Sequence, residues 1–261
     1  MIKNINEIKK EIVRIFENKE KLFDSIPESV ALAIKLLDHG ECRICKNING
    51  EWKIEEWLKQ AILLYFKYSN CVKDGFSYDK IPLKFTNWSE QDFAQAEIRA
   101  VPGAIVRYGT FLAPKVVLMN CFINIGAYIG EKTMVDSFAT IGSCAQIGAN
   151  CHIASGCVIG GVLEPTNAAP VIIEDDCLIG ANAAVTEGII IRKGATIAMG
   201  VRIGASVKII ERTTNKIFFG EVPQNAVVVP GTYQSANGLH IGCAVIVGYK
   251  DRGTKINEEL R

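Results

Sequence analysis

A chain of 261 residues can bury one large core or two smaller ones, and its 29 Lys and Arg against 28 Asp and Glu leave a formal charge of only +1. That balance, without a basic run interleaved with aromatics, points away from nucleic acid, and no apolar stretch approaches the roughly 20 residues that span a bilayer. Hydrophobic residues reach 49% with aromatics at only 8%, so the apolar weight rests on Ile, Val, Leu and Ala, a balance that favours strands.

Residues 1–40 set Ile5, Ile8, Ile12, Ile15 and Phe16, then Val30, Leu32, Ile34, Leu36 and Leu37, at helical spacing, with Gly40 as a C-terminal cap. Asn49-Gly50 joins two short alternating runs as a hairpin turn. Glu55 to Tyr68 reads as another helix. A loop holding Gly75, Pro82 and Asn87 leads to a polar helical segment from Ser89 to Glu97.

From there the period changes. Counting in sixes from Val117 meets Ile123, Ile129, Val135, Ile141, Ile147, Ile153 and Ile159, and the backward count meets Phe111 and Ile105. The count resumes in a new phase at Ile173 and runs through Ile179, Val185, Ile191, Ile197, Ile203 and Ile209. A helix cannot keep one face at a period of six, and a flat strand repeats every two, so the repeating object is a short strand followed by a corner. Four residues after the aliphatic comes a small residue, among them Ala127, Thr133, Ala139, Ala145, Cys151, Cys157, Cys177 and Ala183. Large and small side chains then alternate inside a narrow three-sided parallel prism. Residues 161–170 break the count with Pro165 where an aliphatic is due, so GVLEPTNAAP is expected to leave the prism as an external loop of the kind that carries function.

The cysteines invite a metal reading. Cys144, Cys151, His152 and Cys157 fall within fourteen residues, and Cys42-Arg43-Ile44-Cys45 is a CxxC. Cys151 and Cys157 occupy the small inward slot, however, where free cysteine serves as a small hydrophobe. His152 faces outward at a coil edge, toward solvent or a neighbouring subunit. The CxxC lacks the second pair a zinc ribbon needs. Nine cysteines, an odd number behind an N-terminus whose charges interrupt any signal-peptide core, are expected as reduced thiols in the cytoplasm. At the far end, Ala226 to Val229 and Cys243 to Val247 read as strands, and DRGTKINEELR as a short helix.

The hexads resemble those of the hexapeptide acyltransferases. INIGAYIGEKTMVDSFATIGSCAQIG (123–148), IGGVLEPTNAAPVIIEDDCLIGAN (159–182), VTEGIII (185–191) and AMGVRIG (198–204) are similar to the 2,3,4,5-tetrahydropyridine-2,6-dicarboxylate N-succinyltransferase family of lysine biosynthesis. The similarity also takes in EWLKQAILLYF (56–66), YDKIPLKF (78–85) and CAVIVGYKD (243–251). It implies a mainly β fold: a left-handed parallel β-helix over 100–212, an α-helical N-terminal domain with a hairpin over 1–99, and a small C-terminal cap over 213–261. The implied reaction moves a succinyl group from succinyl-CoA, a co-substrate and not a tightly bound cofactor, to the amino group of a ring-opened dicarboxylate. The implied assembly is a cytoplasmic homotrimer, with no nucleic acid, membrane or metal involved.

The resemblance also assigns residues. Arg99 is the substrate-binding arginine, whose planar donors suit a carboxylate. Asp136 binds the amine or takes its proton, and Glu187 is a second acid/base candidate. Ser155, Gly156 and Ala181 are expected to line the CoA slot through backbone groups, and Lys250, Arg252 and Lys255 to meet its phosphates. Three positions depart from the family pattern: Gly103 where a proline is usual, Phe138 where tryptophan is common, and Asn182 where arginine often stands. Asn182 keeps acetyl-CoA open as the donor. A γ-type carbonic anhydrase needs three histidines, and only His152 of His39, His152 and His240 lies in the repeats. A noncatalytic solenoid scaffold is the alternative of another class.

Overall fold

The computed structural model describes residues 4–18, 23–74 and 77–250. Gly75, Arg252, Lys255 and the expected helix in the tail lie outside them.

The helical spacing at the start resolves into α1 (Ile5–Glu17) and α2 (Glu28–Asp38). Asn4 opens α1 with a capping box shared with Glu7, satisfying backbone donors that have no partner within the helix. Gly40 follows α2 at φ +74°, its N–H on the Leu37 carbonyl, as the cap requires. A hairpin of β1 (Cys45–Ile48) and β2 (Glu51–Ile54) turns at Asn49-Gly50, both at positive φ. Then comes α3 (Glu56–Tyr68), and α1, α2 and α3 bury Ile12, Ile15, Val30, Ile34, Leu58 and Ile62 together. Strands β3 (Val72–Asp74) and β4 (Ser77–Asp79) pair antiparallel before α4 (Glu90–Ala96), capped by Ser89.

From Arg99 the chain winds into a prism with three parallel walls. Tyr128–Ile129, Gln146–Ile147, Ile172–Ile173 and Ile190–Ile191 lie in the first wall, Met134–Val135, His152–Ile153, Leu178–Ile179 and Thr196–Ile197 in the second, and Thr140–Ile141, Val158–Ile159, Ala184–Val185 and Arg202–Ile203 in the third. Tyr128 pairs with Gln146 and Met134 with His152, so one coil is 18 residues. Two-residue strands have little stability alone; each inward Ile or Val contributes roughly 1.5–3 kcal/mol by burial. Inward Ile123, Ile129, Ile141, Ile147, Ile153, Ile159 and Ile179 are wholly buried, with Ala139, Ala145, Cys151, Cys157, Cys177 and Ala183 between them.

The lower coils correct the six-residue count. Val106, Leu112 and Leu118 point inward, while Ile105 is 43% exposed and Phe111 and Val117 lie outside the prism core. Phe111 pairs with Tyr128 seventeen residues on, so one residue is missing from this coil and the phase slips between Leu118 and Ile123. Phe85, Trp88 and Phe93, with ring centroids 4.9–5.0 Å apart, close this end of the core.

The upper end also differs. Ile209 is buried in the prism core, but its strand pairs with Ala244 and with Phe218 and does not continue a wall. The first wall resumes at Glu221–Val222 and the second at Val227–Val228, so the coiled part runs past residue 212. Two long antiparallel strands, Ala226–Gln234 and His240–Tyr249, form the cap.

The helical domain sits against the first wall: Tyr108, Ile125, Cys144, Ile172 and Ile190 belong to its apolar cluster. Arg43 stacks over Tyr128 at 3.8 Å and donates to Gln146 Oε1 at 2.7 Å. The buried Lys84 ammonium meets Asp38 at 2.9 Å, and the same carboxylate accepts the Gly109 N–H.

Candidate active site

Every corner between two walls repeats coil by coil, so residues one coil apart stack as an edge, 18 apart in sequence or 26 where the external loop intervenes. The edge between the second and third walls carries Asp136, Ser137 and Phe138, then Ala154, Ser155 and Gly156, then Gly180, Ala181 and Asn182. Backbone bonds tie the stack: Gly156 N–H to the Ser137 carbonyl, Asn182 N–H to the Ser155 carbonyl, Gly200 N–H to the Ala181 carbonyl. The structure thus gathers Asp136, Ser155, Gly156 and Ala181 on one edge. Gly156 has φ +70°, and a Cβ there would strike Asn182 Oδ1, so this corner accepts only glycine without a shift.

Asp136 shows both behaviours open to a corner aspartate. One oxygen accepts the Ser137 N–H at 2.7 Å. The other faces His152 Nε2 at 3.8 Å. Phe138 stands two residues on, 74% exposed at φ +61°. Arg99 lies on the lowest rung of the same wall, paired with Val117, which pairs with Met134. Two rungs of about 4.8 Å separate Arg99 from the Asp136 coil. It lies on a strand, and Glu97 pairs with Lys115 at 3.9 Å.

Glu187 lies elsewhere. It turns the edge between the third and first walls at φ +57°, exposed, its Oε2 accepting the Ala205 N–H at 2.7 Å. Within one chain it does not join Asp136. Its neighbour on this edge is the external loop: Gln146 pairs with Ile172, 26 residues on, eight more than one coil. The loop folds back on the helical domain, where Leu163 joins the apolar cluster and Thr166 donates to Glu56 at 3.4 Å. Gly188, at φ +70°, lies under Ala169, whose carbonyl oxygen would sit 2.7 Å from a Cβ there.

Lys250 donates to Thr196 Oγ1 at 2.8 Å on the second wall. Gly103 has φ +89°, which proline cannot adopt, so this turn differs from one built with proline. Apart from the exposed Cys71, the thiols are interior groups. Burial pushes Cys157 up to about 11 and Cys121 and Cys144 up to about 12, while Cys45, also buried, is pushed up to about 11. Among the described residues no three His, Cys, Asp or Glu side chains are grouped to hold a metal ion.

Sequence reasoning missed the meeting of His152 with Asp136. The signal was available: His152 is 18 residues after Met134, one coil up on the same wall.

A three-walled parallel prism built from hexads, with polar residues and an inserted loop along its edges, defines a hexapeptide-repeat transferase with the left-handed parallel β-helix of that class. The hexapeptide profiles match residues 126–161 and 170–205, described as bacterial transferase hexapeptide and hexapeptide repeat of succinyl-transferase. The profile described as tetrahydrodipicolinate N-succinyltransferase N-terminal matches residues 7–68. A 2,3,4,5-tetrahydropyridine-2,6-dicarboxylate N-succinyltransferase of Wolbachia sp. subsp. Brugia malayi is 49% identical over 98% of this chain and 99% of its own. The Bartonella bacilliformis protein of the same name is 46% identical over 98% of each. A Campylobacter jejuni crystal structure described as a 2,3,4,5-tetrahydropyridine-2-carboxylate N-succinyltransferase superposes with a TM-score of 0.57 at 20% identity, covering 88% of this chain and 64% of that one, and supports the fold. The chain belongs to the 2,3,4,5-tetrahydropyridine-2,6-dicarboxylate N-succinyltransferase family.

Proposed function

We propose that this chain transfers the succinyl group of succinyl-CoA to the amino group of ring-opened tetrahydrodipicolinate, giving N-succinyl-2-amino-6-oxopimelate and CoA on the route to diaminopimelate and lysine. The observation that carries the site assignment is the edge itself: Asp136, with one oxygen anchored to backbone and one facing His152, lies on the same edge as Ser155, Gly156 and Ala181, in the coil below them.

In this reading the Arg99 guanidinium engages an acceptor carboxylate, and Asp136 receives the amine. The nitrogen attacks the thioester carbonyl, the C–S bond breaks with its electron pair on sulfur, and a carboxylate manages the amine proton. Backbone groups of Ser155, Gly156 and Ala181 line the pantetheine slot, and Lys250 lies higher on the adjoining second wall. Glu187 serves as the second carboxylate. Because Asp136 and Glu187 occupy different edges of one prism, the reading takes one from each of two copies, as packing three prisms side by side in a cytoplasmic homotrimer allows. Succinyl-CoA is a co-substrate, and amine attack on a thioester needs no resident cofactor.

The test is incubation with tetrahydrodipicolinate and either succinyl-CoA or acetyl-CoA, following free thiol and product mass. Succinylated product from the first donor, with at least about 100-fold less thiol release by Asp136→Asn, is expected. Thiol release by Asp136→Asn equal to the wild type removes Asp136 from the role, and acetylated product alone reassigns the donor.

A further inference from the structure

The second wall, beside the edge that carries Asp136, holds a group the reaction above does not use. His152 Nε2 is sealed from solvent and has no hydrogen-bond partner among the described residues, although the side chain as a whole is 28% exposed. Its nearest carboxylate oxygen is Asp136 Oδ2 at 3.8 Å. Hydrogen bonds between such atoms run about 2.7–3.2 Å, so this gap is too wide for a direct bond. The pair suits one bridging atom, about 2.8 Å from each partner, and because Nε2 is sealed that atom enters as the partly exposed His152 or Asp136 side chain turns aside. Asp136 Oδ1 is already held by the Ser137 N–H, so the direction of Oδ2 is set. A buried polar atom without a partner is unfavourable, and a ligand that supplies the partner explains its retention.

We propose that the acceptor's amino nitrogen occupies this gap, giving one N–H to Asp136 Oδ2 and the other to the lone pair of His152 Nε2. The proposal rests on the reading of Asp136 given above, adds a second residue to it, and moves the first acceptor of the amine proton from a carboxylate to that residue. It requires the ring proton to sit on Nδ1. A neutral amine has two N–H groups and one lone pair. With both N–H groups held by the wall, the lone pair points away from it, toward the thioester. As the N–C bond forms and the C–S bond breaks, the electron pair leaves on sulfur and nitrogen gives one proton to Nε2. The Asp136 carboxylate faces the resulting imidazolium and stabilises it. The proton ends on sulfur, so amine and thioester become amide and thiol.

The experiment compares wild type, His152→Leu, His152→Gln and Asp136→Asn as full chains. It measures kcat/KM for the acceptor, KM for succinyl-CoA, and binding of 2-aminopimelate against pimelate, which keeps both carboxylates and lacks the amine. His152→Leu is expected to lose at least about 100-fold in kcat/KM with KM for succinyl-CoA unchanged. It should also bind pimelate like wild type while losing the preference for 2-aminopimelate. His152→Gln is expected to recover that preference without the rate, because its amide oxygen accepts a hydrogen bond but takes no proton. The proposal is overturned by His152→Leu turnover within about threefold of wild type, or by equal loss of both analogues, while Asp136→Asn is inactive. Turnover by Asp136→Asn instead sinks the underlying reading of the edge.

Discussion

The Lys59 ammonium, wholly buried on α3, donates to the Ala168 carbonyl at 2.5 Å and so ties the helical domain to the loop that leaves the prism. The next residue, Ala169, lies against Gly188, beside Glu187. A buried cation is expensive to desolvate, and this one is spent on a carbonyl in the loop next to a proposed acid/base residue.

Lys59→Met keeps most of the volume and removes the donor. Global stability is expected to change by less than about 2 kcal/mol, since exchanging a buried charge for an apolar side chain is often neutral. Amide exchange across residues 166–171 is expected to quicken by about tenfold or more, because the loop loses its anchor. Unchanged exchange there would show that the loop stands without Lys59.

The same lysine gives a pH dependence with a definite sign. Burial lowers Lys59 from its ordinary 10.5, so between its folded value and 10.5 the unfolded chain holds more protons than the folded one. Stability from this group therefore rises with pH across that window. In urea titrations, wild type should gain on Lys59→Met as pH approaches 10.5. A constant difference between the two proteins contradicts it.

Asp136→Asn and Glu187→Gln offer a test of the shared site. Glu187→Gln keeps an oxygen for the Ala205 N–H, so the turn is expected to survive. Each variant alone is expected to be nearly inactive. Co-refolded one to one, they should recover about a quarter of wild-type activity, the share of neighbouring pairs that match an intact Asp136 with an intact Glu187. No recovery from well-formed mixed oligomers would mean that both carboxylates must come from one chain.

Thiol labelling reports on the prism interior. Cys71 is the exposed cysteine, and the other eight are buried. Brief iodoacetamide treatment of native protein, read by peptide mass, is expected to mark Cys71 first. Cys144 and Cys157 should stay unmarked until urea is added, since burial disfavours their thiolates. Early labelling of Cys157 would mean the prism opens far more readily than its packing implies.

Gly188→Ala must place a Cβ 2.7 Å from the Ala169 oxygen at a positive φ. A loss of about 1–3 kcal/mol is expected in thermal unfolding, together with reduced turnover. A variant as stable and active as wild type would show that the loop gives way without consequence.

Much of this was legible in the sequence because one inward Ile or Val every six residues is a pattern few other folds produce. It misled where the signal was doubled. Ile105-Val106, Phe111-Leu112 and Val117-Leu118 are pairs of apolar neighbours, so the count of six is satisfied in either of two phases and the missing residue leaves no mark. The end of the coil was hidden for a similar reason: Ile209 keeps the phase and is buried, but tertiary pairing with Ala244 takes its strand. At the site, Asp136 and Glu187 came from resemblance, and their assignment to separate edges follows only when hexads are counted by threes. Asp136 with His152 needed the 18-residue coil length, which joins residues far apart in the chain.

A stack of identical rungs has no intrinsic reason to stop, and the bare end of such a stack is a template on which another chain can grow. Here the second wall passes from Thr196 to Val227, and that strand turns back antiparallel on His240–Tyr249. Reversing direction at the last rung converts a seed for fibres into a finished particle. Trimming the two long final strands is thus expected to yield filaments that bind cross-β dyes, well before it harms the catalytic edge.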